Sequence, residues 1–463
     1  ILFFGEYVDN PRFGRQFAST RCEMILPRSV EGIERYLSSS LIKGIGKKKA
    51  GQLVGCFGEE TLRVLDEAPE RLVEVPGIGK KTARKIVQSW RAQEEQRAGL
   101  IFLYGLGLGT ALIQKIIKEY GDRAAGIVKD DPYRLVSDLW GVGFLTADRI
   151  GKAVGIDDSS PKRLRAGLVH VLSEAMGSGH SCLPREELVR LSAEVLNGEI
   201  LDLEETLRSM IADGKLVMDE SSAGDDPVYL PLMFDAENIL ASRLFELMSD
   251  FPVPEERRLR QAMNYGSSMA GVELTDEQEQ AVWQSLGSGV AVITGGPGTG
   301  KTTVLRALVH SLKALGRPVL LASPTGRASR RMFEATGLDA RTIHRLLEFD
   351  PKTGTFKKDR FDPLPPATVV LDEVSMIDLV LMASLVMALG EGSTLVLVGD
   401  QHQLQSVGPG SVLKDMIDSG QFSLARLTQI HRQASRSAIV RNSHLILEGN
   451  APDLVGEDFY MME

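Results

Sequence analysis

Apolar positions follow two different periodicities in the two parts of the chain. In the front part they recur at helical spacing, as within residues 62–65 and 112–117. From about residue 270 they form short β-branched runs, each followed by helical spacing, at residues 290–294, 368–371 and 394–398. Strands that alternate with helices are typical of a parallel α/β domain, so the pattern predicts a multidomain protein with a mainly helical front and an α/β back.

A Gly-x-Gly pattern followed by a helix-like stretch recurs four times in the front part. The copies span residues 43–50, 76–83, 106–111 and 140–147, and their leading glycines lie 30 to 34 residues apart. Glycine allows a tight turn and a close backbone approach. Because N–H groups at the start of a helix favour an anion, each copy predicts two helices joined by an anion-binding hairpin.

The first two copies also carry lysines and resemble the helix-hairpin-helix family of DNA-backbone binders, in which the anion is a DNA phosphate. This resemblance gives the following DNA-binding candidates: Lys47, Lys48, Gly77, Gly79 and Lys80. The alternative is that the glycines only cap helices and that the lysines are solvated. The third and fourth copies lack the lysines, so they either contact DNA or only pack.

The segments that flank the repeats have other patterns. Apolar runs at 3–8 and 22–26 predict strands within residues 1–36, as a strand-rich, OB-like remnant of a small barrel. The hairpin repeats then occupy residues 37–157.

Residues 158–235 predict a small winged-helix-like unit. A proline followed by acidic residues within 183–188 predicts a helix start, and residues 203–211 predict an amphipathic helix. Two apolar runs, at 216–218 and 228–230, predict a short hairpin after these helices. Such a unit either binds DNA or packs against its neighbours, and the sequence leaves both open.

A phosphate-binding loop follows the first strand of the back part. Residues 295–302 match the pattern G-x-x-x-x-G-K-[ST] between a strand-like and a helical stretch. Backbone N–H groups of such a loop surround phosphates, its lysine reaches the outer phosphates, and its hydroxyl ligates Mg²⁺. The predicted nucleotide-binding residues are Gly295, Gly296, Pro297, Gly298, Thr299, Gly300, Lys301, Thr302 and Thr303. An ordinary glycine-rich turn is the alternative.

Two further strand ends carry polar side chains. Asp372 and Glu373 follow the run at 368–371. Burying a pair of carboxylates at the end of a strand costs free energy, so such a pair indicates a metal ligand or a catalytic base. We therefore predict that Asp372 and Thr302 hold Mg²⁺, and that Glu373 orients and deprotonates an attacking water. Gln403, after the next strand, is a candidate sensor of the γ-phosphate. Ordinary strand ends are the alternative.

The order of these motifs resembles that of superfamily 1 DNA helicases of the RecD type. The matching segments are 274–278 (Q motif), 295–303 (motif I), 322–328 (motif Ia), 342–347, 371–376 (motif II), 399–407 (motif III) and 427–433 (motif IV). With hairpin repeats in front, the chain resembles the stand-alone RecD-like helicases that have an N-terminal extension.

The resemblance assigns roles to further residues. In the family the Q-motif glutamine, here Gln278, reads adenine, and the motif IV arginine, here Arg432, acts as a finger on the γ-phosphate. The catalytic set thus becomes Lys301, Asp372, Glu373, Gln403 and Arg432. The single-strand path of the family corresponds here to Pro324, Thr325, Arg327, Thr342 and His344.

The resemblance also implies an architecture. Residues 236–425 are expected to form a P-loop RecA-like domain 1A with a 1B insertion near 345–366, and residues 426–463 to begin a second RecA-like domain, 2A. Two departures from the family pattern stand out. A proline that usually follows Gln-Leu in motif III is absent, and motifs V and VI do not follow motif IV. We therefore expect unwinding from the intact protein rather than from these residues alone.

The implied activity is ATP-dependent translocation along single-stranded DNA in the 5′→3′ direction, with duplex unwinding in repair or recombination. The alternative is a DNA-binding P-loop ATPase that acts as a switch or recruitment module without unwinding. The implied partners are single-stranded DNA and junctions of single- and double-stranded DNA, with single-strand-binding or other repair proteins as further candidates. We expect the protein to act as a monomer.

Composition adds three points. The net charge is −9, yet residues 41–100 carry 12 basic and 8 acidic residues, a local excess that suits nucleic acid. Cys22, Cys56 and Cys182 form no CxxC pattern, which argues against a disulfide framework and a structural zinc site. Since neither a secretion signal nor an apolar run of about 18 residues is present, we expect a cytoplasmic bacterial protein without a membrane partner.

Overall fold

The computed structural model describes residues 2–10, 14–23, 30–37, 45–220, 226–271, 273–429, 437–447, 449–454 and 458–459. The chain divides into two compact units. The first unit comprises Ile1–Gly167 and Leu196–Asp202, and the second comprises Leu168–Val195 and Leu203–Glu463.

The strands are β1 (Leu2–Asn10), β2 (Gly14–Glu23), β3 (Cys182–Pro184), β4 (Val217–Met218), β5 (Pro227–Tyr229), β6 (Val290–Gly295), β7 (Val319–Ser323), β8 (Ala340–Thr342), β9 (Phe349–Asp350), β10 (Thr355–Phe356), β11 (Thr368–Leu371), β12 (Thr394–Gly399) and β13 (Ser423–Leu427). The helices of the first part are α1 (Val30–Leu37), α2 (Lys47–Phe57), α3 (Thr61–Glu67), α4 (Lys80–Gly105), α5 (Thr110–Tyr120), α6 (Ala124–Asp130), α7 (Arg134–Asp138), α8 (Phe144–Ala153) and α9 (Pro161–Gly177). The later helices are α10 (Arg185–Leu196), α11 (Ile200–Ala212), α12 (Pro231–Ser249), α13 (Glu256–Ala270), α14 (Asp276–Leu286), α15 (Lys301–Ala314), α16 (Gly326–Thr336), α17 (Ile343–Leu346), α18 (Leu379–Met387), α19 (Val412–Ser419) and α20 (Ala438–Leu447).

The first unit begins with an antiparallel pair of strands. β1 and β2 pair from Leu2 opposite Glu23 to Asn10 opposite Gly14. The strand predicted at residues 3–8 is therefore confirmed, while that predicted at 22–26 is present only as far as Glu23, because residues 24–26 lie outside the described residues. The barrel predicted for residues 1–36 stays a prediction.

Four hairpins follow, and the described residues of the copies share the same local features, which explains the sequence repeat. In each, the residue between the two glycines is buried: Ile45, Ile78, Leu108 and Val142. The second glycine of each copy directly precedes a helix, namely α2, α4, α5 or α8. The leading glycine has a left-handed backbone in the three copies where it is described, with φ of 87° at Gly77, 70° at Gly107 and 85° at Gly141. Only glycine adopts this conformation at little cost.

The hairpins are paired through two separate hydrophobic cores. The first two copies share a core that runs from Ile33 to Trp90, and the last two share one that runs from Leu103 to Ile150. Gly58 and Gly121, which end α2 and α5, have nearly the same φ and ψ, 54° and −131° against 56° and −132°. The repeating unit is therefore a pair of hairpins. The Gly-x-Gly pattern in the sequence identifies single hairpins but does not show that they are paired.

In the second unit, residues of the predicted winged-helix-like region form a small antiparallel sheet in the order β3-β5-β4. The predicted hairpin is confirmed, since Val217 pairs with Tyr229 and Met218 with Val228. The helix start predicted within 183–188 is confirmed, since α10 begins at Arg185 with Glu186 and Glu187 in its first turn. Leu183 and Pro184 precede the helix as part of β3, in which Leu183 pairs with Val228.

A six-stranded sheet forms the centre of the second unit, in the order β13-β6-β12-β11-β7-β8. All neighbouring strands pair in parallel. Alternate residues enter two cores: Val292 and Leu397 face helices α12, α18 and α19, whereas Ile293 and Val396 face α13, α14 and α15. The helical hairpin region followed by a P-loop domain with a parallel sheet confirms the predicted fold class. Parallel strands place their carboxyl ends at one edge, where ligands of such sheets bind.

Candidate functional site at the carboxyl edge of the sheet

The phosphate-binding loop connects β6 to α15 and depends on glycine at three positions. Gly298 and Gly300 have φ of 80° and 87°, which favours glycine. A Cβ atom at Gly295 would lie 2.8 Å from the carbonyl oxygen of Leu427 on the neighbouring strand. The Thr299 hydroxyl donates to the carbonyl of Gly296 at 2.9 Å and closes the loop on itself. The loop is thus held in shape before its helix begins at Lys301.

A cavity of about 420 Å³ lies over this loop. Besides loop residues 296–302, its walls include Asp372 and Glu373 from the end of β11, and Asp400 and Gln403 from the end of β12. The structure thus brings together Lys301, Thr302 and the predicted residues Asp372, Glu373 and Gln403. Asp400 also lines the cavity, and the sequence analysis did not single it out although it follows a strand as Asp372 does.

Lys301 is the cationic centre of the cavity. Its ammonium group donates to the carbonyls of Gly295 and Gly296, at 2.5 and 3.0 Å. Burial lowers the pKa of Lys301, and the carboxylates of Asp400 and Asp372 oppose that shift. A half-buried cation between a phosphate-binding loop and two carboxylates suits an anionic ligand that a metal ion accompanies.

Asp372 and Glu373 occupy different environments although they are adjacent. Burial raises the pKa of Asp372, and the Glu373 charge adds to that shift, while the backbone N–H of Glu373 and the charges of Lys301 and Arg331 oppose it. The N–H of Glu373 donates to Asp372 Oδ1 at 2.9 Å. Glu373 itself has a left-handed backbone with φ 56°. The two carboxylates at this strand end therefore have different contacts.

The Glu373 carboxylate is held by two side chains of the motif Ia region. The Thr325 hydroxyl donates to Glu373 Oε2 at 3.3 Å, and a guanidinium nitrogen of Arg331 lies 3.7 Å from Oε1. Arg331 also lines the cavity. Sequence reasoning missed Arg331, and no signal in the motif pattern singles it out, because its contact with Glu373 depends on how α16 packs against β7, the neighbour of β11 in the sheet.

Gln278 lies deep beneath the loop rather than on the cavity wall. It is 1% exposed, and its amide nitrogen donates to the carbonyl of Thr299 at 3.2 Å. Its amide oxygen accepts from the N–H of Thr275, while the Thr275 hydroxyl accepts from the N–H of Gln278, which forms a capping box on α14. Adenine reading by Gln278 stays a prediction.

Of the residues on the predicted single-strand path, Thr325 reaches the cavity through its hydrogen bond to Glu373. Pro324 and Thr325 are half-buried at the end of β7, and Arg327 is exposed in the first turn of α16. Thr342 caps α17 by accepting from the N–H of Arg345 at 3.3 Å. His344 is exposed, and its ring centroid lies 5.4 Å from that of Phe349. Arg327 and His344 are thus open to a ligand, and DNA contact at each of the five positions remains a prediction.

The predicted hairpin residues belong to the first unit. Lys47, Lys48, Gly77, Gly79 and Lys80 are all exposed. Lys47 and Lys80 are the first residues of α2 and α4, beside the glycine that precedes each helix. Their charges are therefore added to the positive end of a helix dipole. Arg432, by contrast, falls within 430–436 and lies outside the described residues.

Comparisons with protein families cover both parts of the chain. Residues 34–92 match the SAM-like helix-hairpin-helix tandem, residues 92–182 match the ATP-dependent RecD2 DNA helicase HHH domain, and residues 273–460 match an AAA domain. The chain is 35% identical over 446 residues to the ATP-dependent RecD2 DNA helicase of Deinococcus radiodurans, an alignment that covers 92% of this chain and 59% of the relative. The chain belongs to the RecD2 family of DNA helicases.

Other relatives of this RecD2-family chain align with smaller parts of it. The RecBCD enzyme subunit RecD of Mycobacterium tuberculosis is 33% identical over 322 residues, which cover 64% of this chain and 51% of that subunit. The crystal structure of the Pif1 helicase from Candida albicans covers 39% of this chain and 46% of that chain, with a TM-score of 0.32 and 24% identity. The chain thus spans between half and three fifths of the length of these curated relatives.

The two family matches in the hairpin region meet at residue 92, close to the boundary between the two hydrophobic cores of the hairpin pairs. The RecD2-type match therefore covers the third and fourth hairpins, which lack the lysines. Among the described residues, we find no helix that combines the length and the hydrophobicity needed to cross a membrane.

Proposed function

We propose that the protein is an ATP-dependent DNA helicase that moves along single-stranded DNA and unwinds duplexes. The observation that carries this proposal is the hydrogen bond between Thr325 and Glu373 at the cavity. It connects the predicted catalytic base directly to a residue of the predicted single-strand path. A nucleotide-binding switch has no need for such a connection, whereas a motor must couple hydrolysis to its track.

The cavity residues fit a nucleoside triphosphate with magnesium. The loop offers backbone N–H groups and Lys301 to phosphates, and the hydroxyl of Thr302 and the carboxylate of Asp372 are the hard oxygen donors that Mg²⁺ prefers. Mg²⁺ commonly takes only one or two protein ligands when substrate phosphates supply others. In this site it would supply charge neutralisation at the phosphates.

The other residues of the site then have distinct tasks. Glu373 orients a water and accepts its proton, Gln403 contacts the γ-phosphate region, and Arg432 adds positive charge where the outer phosphate leaves. Gln278 contributes to adenine recognition through the loop that it supports. Thr325, Pro324, Arg327, Thr342 and His344 contact the single strand.

The exposed hairpin lysines Lys47, Lys48 and Lys80, with Gly77 and Gly79, hold the DNA backbone at a junction without reading its sequence. In this proposal the protein acts in the bacterial cytoplasm, as a monomer, in repair or recombination, where single-strand-binding proteins share its substrate. The direction of movement is 5′→3′.

Strand displacement by the full-length protein tests the proposal. A duplex with a 5′ single-stranded tail and one with a 3′ tail are each mixed with the protein, ATP and Mg²⁺. We expect displacement of the 5′-tailed duplex only, and none with Glu373→Gln, which keeps the shape of the side chain but removes the base. ATP hydrolysis without displacement of either duplex would contradict the proposal and favour a switch ATPase that only binds DNA.

A further inference from the structure

Helix α16 contacts both carboxylate oxygens of Glu373. The Thr325 hydroxyl, at the N-terminus of the helix, donates to Glu373 Oε2 at 3.3 Å. Arg331, in the second turn, places a guanidinium nitrogen 3.7 Å from Oε1. Side chains of a helix lean towards its N-terminus, so a long side chain from the second turn can reach the carboxylate that the short Thr325 side chain also contacts. The predicted base is therefore held at two points by one helix.

The backbone that carries Arg331 is fixed by its neighbours. Met332, the next residue, is 1% exposed and belongs to the core between the sheet and α15. The buried hydroxyls of Ser329 and Ser323 share a hydrogen bond of 2.8 Å, which connects the first turn of α16 to the end of β7. The Arg331 side chain thus extends towards Glu373 from a part of the helix that packing holds in place.

The adjacent arginine of the same helix has a different environment. Arg330 pairs with Glu334 at 3.0 Å, one turn further along α16, and its side chain is 81% exposed against 60% for Arg331. Among the described residues that line the cavity, Arg331 is present and Arg330 is not. The contact between Arg331 and Glu373 is therefore specific to one of two neighbouring cations.

The charges on the cavity wall assign Arg331 to Glu373. Among the described wall residues, the carboxylates are Asp372, Glu373 and Asp400, and the cations are Lys301 and Arg331. Burial lowers the pKa of Lys301 while Asp400 and Asp372 oppose that shift, so the charge of Lys301 interacts with these two carboxylates. Glu373 instead pairs with Arg331.

We propose that Arg331 is a positioning residue, which together with Thr325 holds the Glu373 carboxylate in the orientation that accepts the proton of the attacking water. A single hydrogen bond to Oε2 leaves the carboxylate free to rotate about its last bond, whereas contacts to both oxygens fix its plane. This inference rests on the proposed function, because it needs ATP hydrolysis with Glu373 as the base.

The test compares steady-state ATP hydrolysis by full-length variants at saturating single-stranded DNA. Arg331→Gln removes the cation beside Glu373. A general base contributes about 10²–10⁴-fold, so we expect a misplaced base to lower kcat by about tenfold or more. The KM for ATP should change less than about threefold, because the lost contact is with the base rather than with the nucleotide. Arg330→Gln is the matched control, and it should hydrolyse ATP like the wild type.

Two further variants separate positioning from a general structural effect. Arg331→Lys keeps a cation, and because the contact involves one guanidinium nitrogen, it should restore most of the kcat that Arg331→Gln loses. In a Glu373→Gln background, Arg331→Gln should lower the rate of single-turnover hydrolysis by less than about twofold, because the base that it positions is already gone.

The outcomes distinguish this inference from the proposed function. The positioning role is overturned, while the proposed function stands, if Arg331→Gln has wild-type kcat or raises only the KM for ATP. The same holds if Arg331→Gln causes its full loss in the Glu373→Gln background. If the wild type does not hydrolyse ATP, or if Lys301→Ala hydrolyses it equally well, the proposed function and this inference both fail.

Discussion

At the scale of single residues, the strained backbone of Glu373 is the most informative feature of the site. A left-handed conformation costs a residue with a Cβ atom roughly 1–2 kcal/mol. Its N–H bond to Asp372 and its side-chain contacts with Thr325 and Arg331 hold Glu373 in that conformation. Strain of this kind is concentrated at functional sites. The motif in the sequence predicts the residue, but only the structure shows its strain and its partners.

The Thr325–Glu373 contact leads to a prediction about coupling. Thr325→Val removes the hydroxyl that donates to Glu373, so in the proposed function DNA bound at Thr325 loses its direct route to the proposed base. We expect the ratio of ATP hydrolysis rates with and without single-stranded DNA to fall at least about fivefold. The rates at saturating ATP give this ratio directly.

Thr325→Ser provides the control, because serine keeps the hydroxyl that caps α16 and contacts Glu373. Loss of the cap in Thr325→Val should also lower the free energy of unfolding by about 1 kcal/mol. A normal stimulation ratio in a Thr325→Val protein that shows this stability loss would rule out the coupling role.

Gly77 gives a prediction about stability. Its φ of 87° is unfavourable for any residue with a Cβ atom, so Gly77→Ala should lower the free energy of unfolding by roughly 1–2 kcal/mol. Gly126→Ala is the matched comparison, since Gly126 is exposed within α6 with open space around it. There alanine should raise stability by roughly 0.5–1 kcal/mol. Chemical denaturation measures both, and equal effects would contradict the hairpin geometry.

At the scale of elements, the sequence predicts most of what builds the nucleotide site. The strands at 290–294, 368–371 and 394–398 are confirmed to within one residue, because these runs are rich in β-branched residues and too short for a typical helix. Leu183 and Pro184 show the limit. The helix start within 183–188 is confirmed at Arg185, but the short strand β3 before it depends on pairing of Leu183 with Val228, more than 40 residues away, which the local sequence does not indicate.

The lysine-bearing hairpins give a prediction at this scale. Replacing the lysines at 47–49 and 80–81 with alanine should weaken DNA binding and flatten its salt dependence. For every DNA phosphate that the variant no longer neutralises, the slope of log K against log salt should become shallower by about 0.9. Titration of a fluorescent duplex at several salt concentrations measures the slope.

The same number of lysine replacements at exposed positions of the second unit, beginning with Lys313 and Lys414, controls for net charge. These changes should affect the slope less. An unchanged slope in the hairpin variant would show that its lysines are merely solvated.

At the scale of the whole molecule, the sequence predicts which motifs occur and in which order. It does not predict how the segments that carry these motifs pack together. The pairing of hairpins around two cores depends on burial between copies, and short motifs carry no information about that. The strand order β13-β6-β12-β11-β7-β8, which brings Glu277 to Thr428 and Thr325 to Glu373, likewise depends on contacts between distant segments. The family resemblance implies roles for individual residues, and the structure shows which of these residues are in contact with one another.

The central claim is that the cavity around Lys301 drives a DNA-coupled motor. The most direct test measures ATP hydrolysis by the full-length protein with and without single-stranded DNA, with Lys301→Ala as the reference. We expect DNA to stimulate hydrolysis at least about tenfold in the wild type, and hydrolysis to be lost in Lys301→Ala. Hydrolysis that depends on Lys301 but is indifferent to DNA would contradict the account.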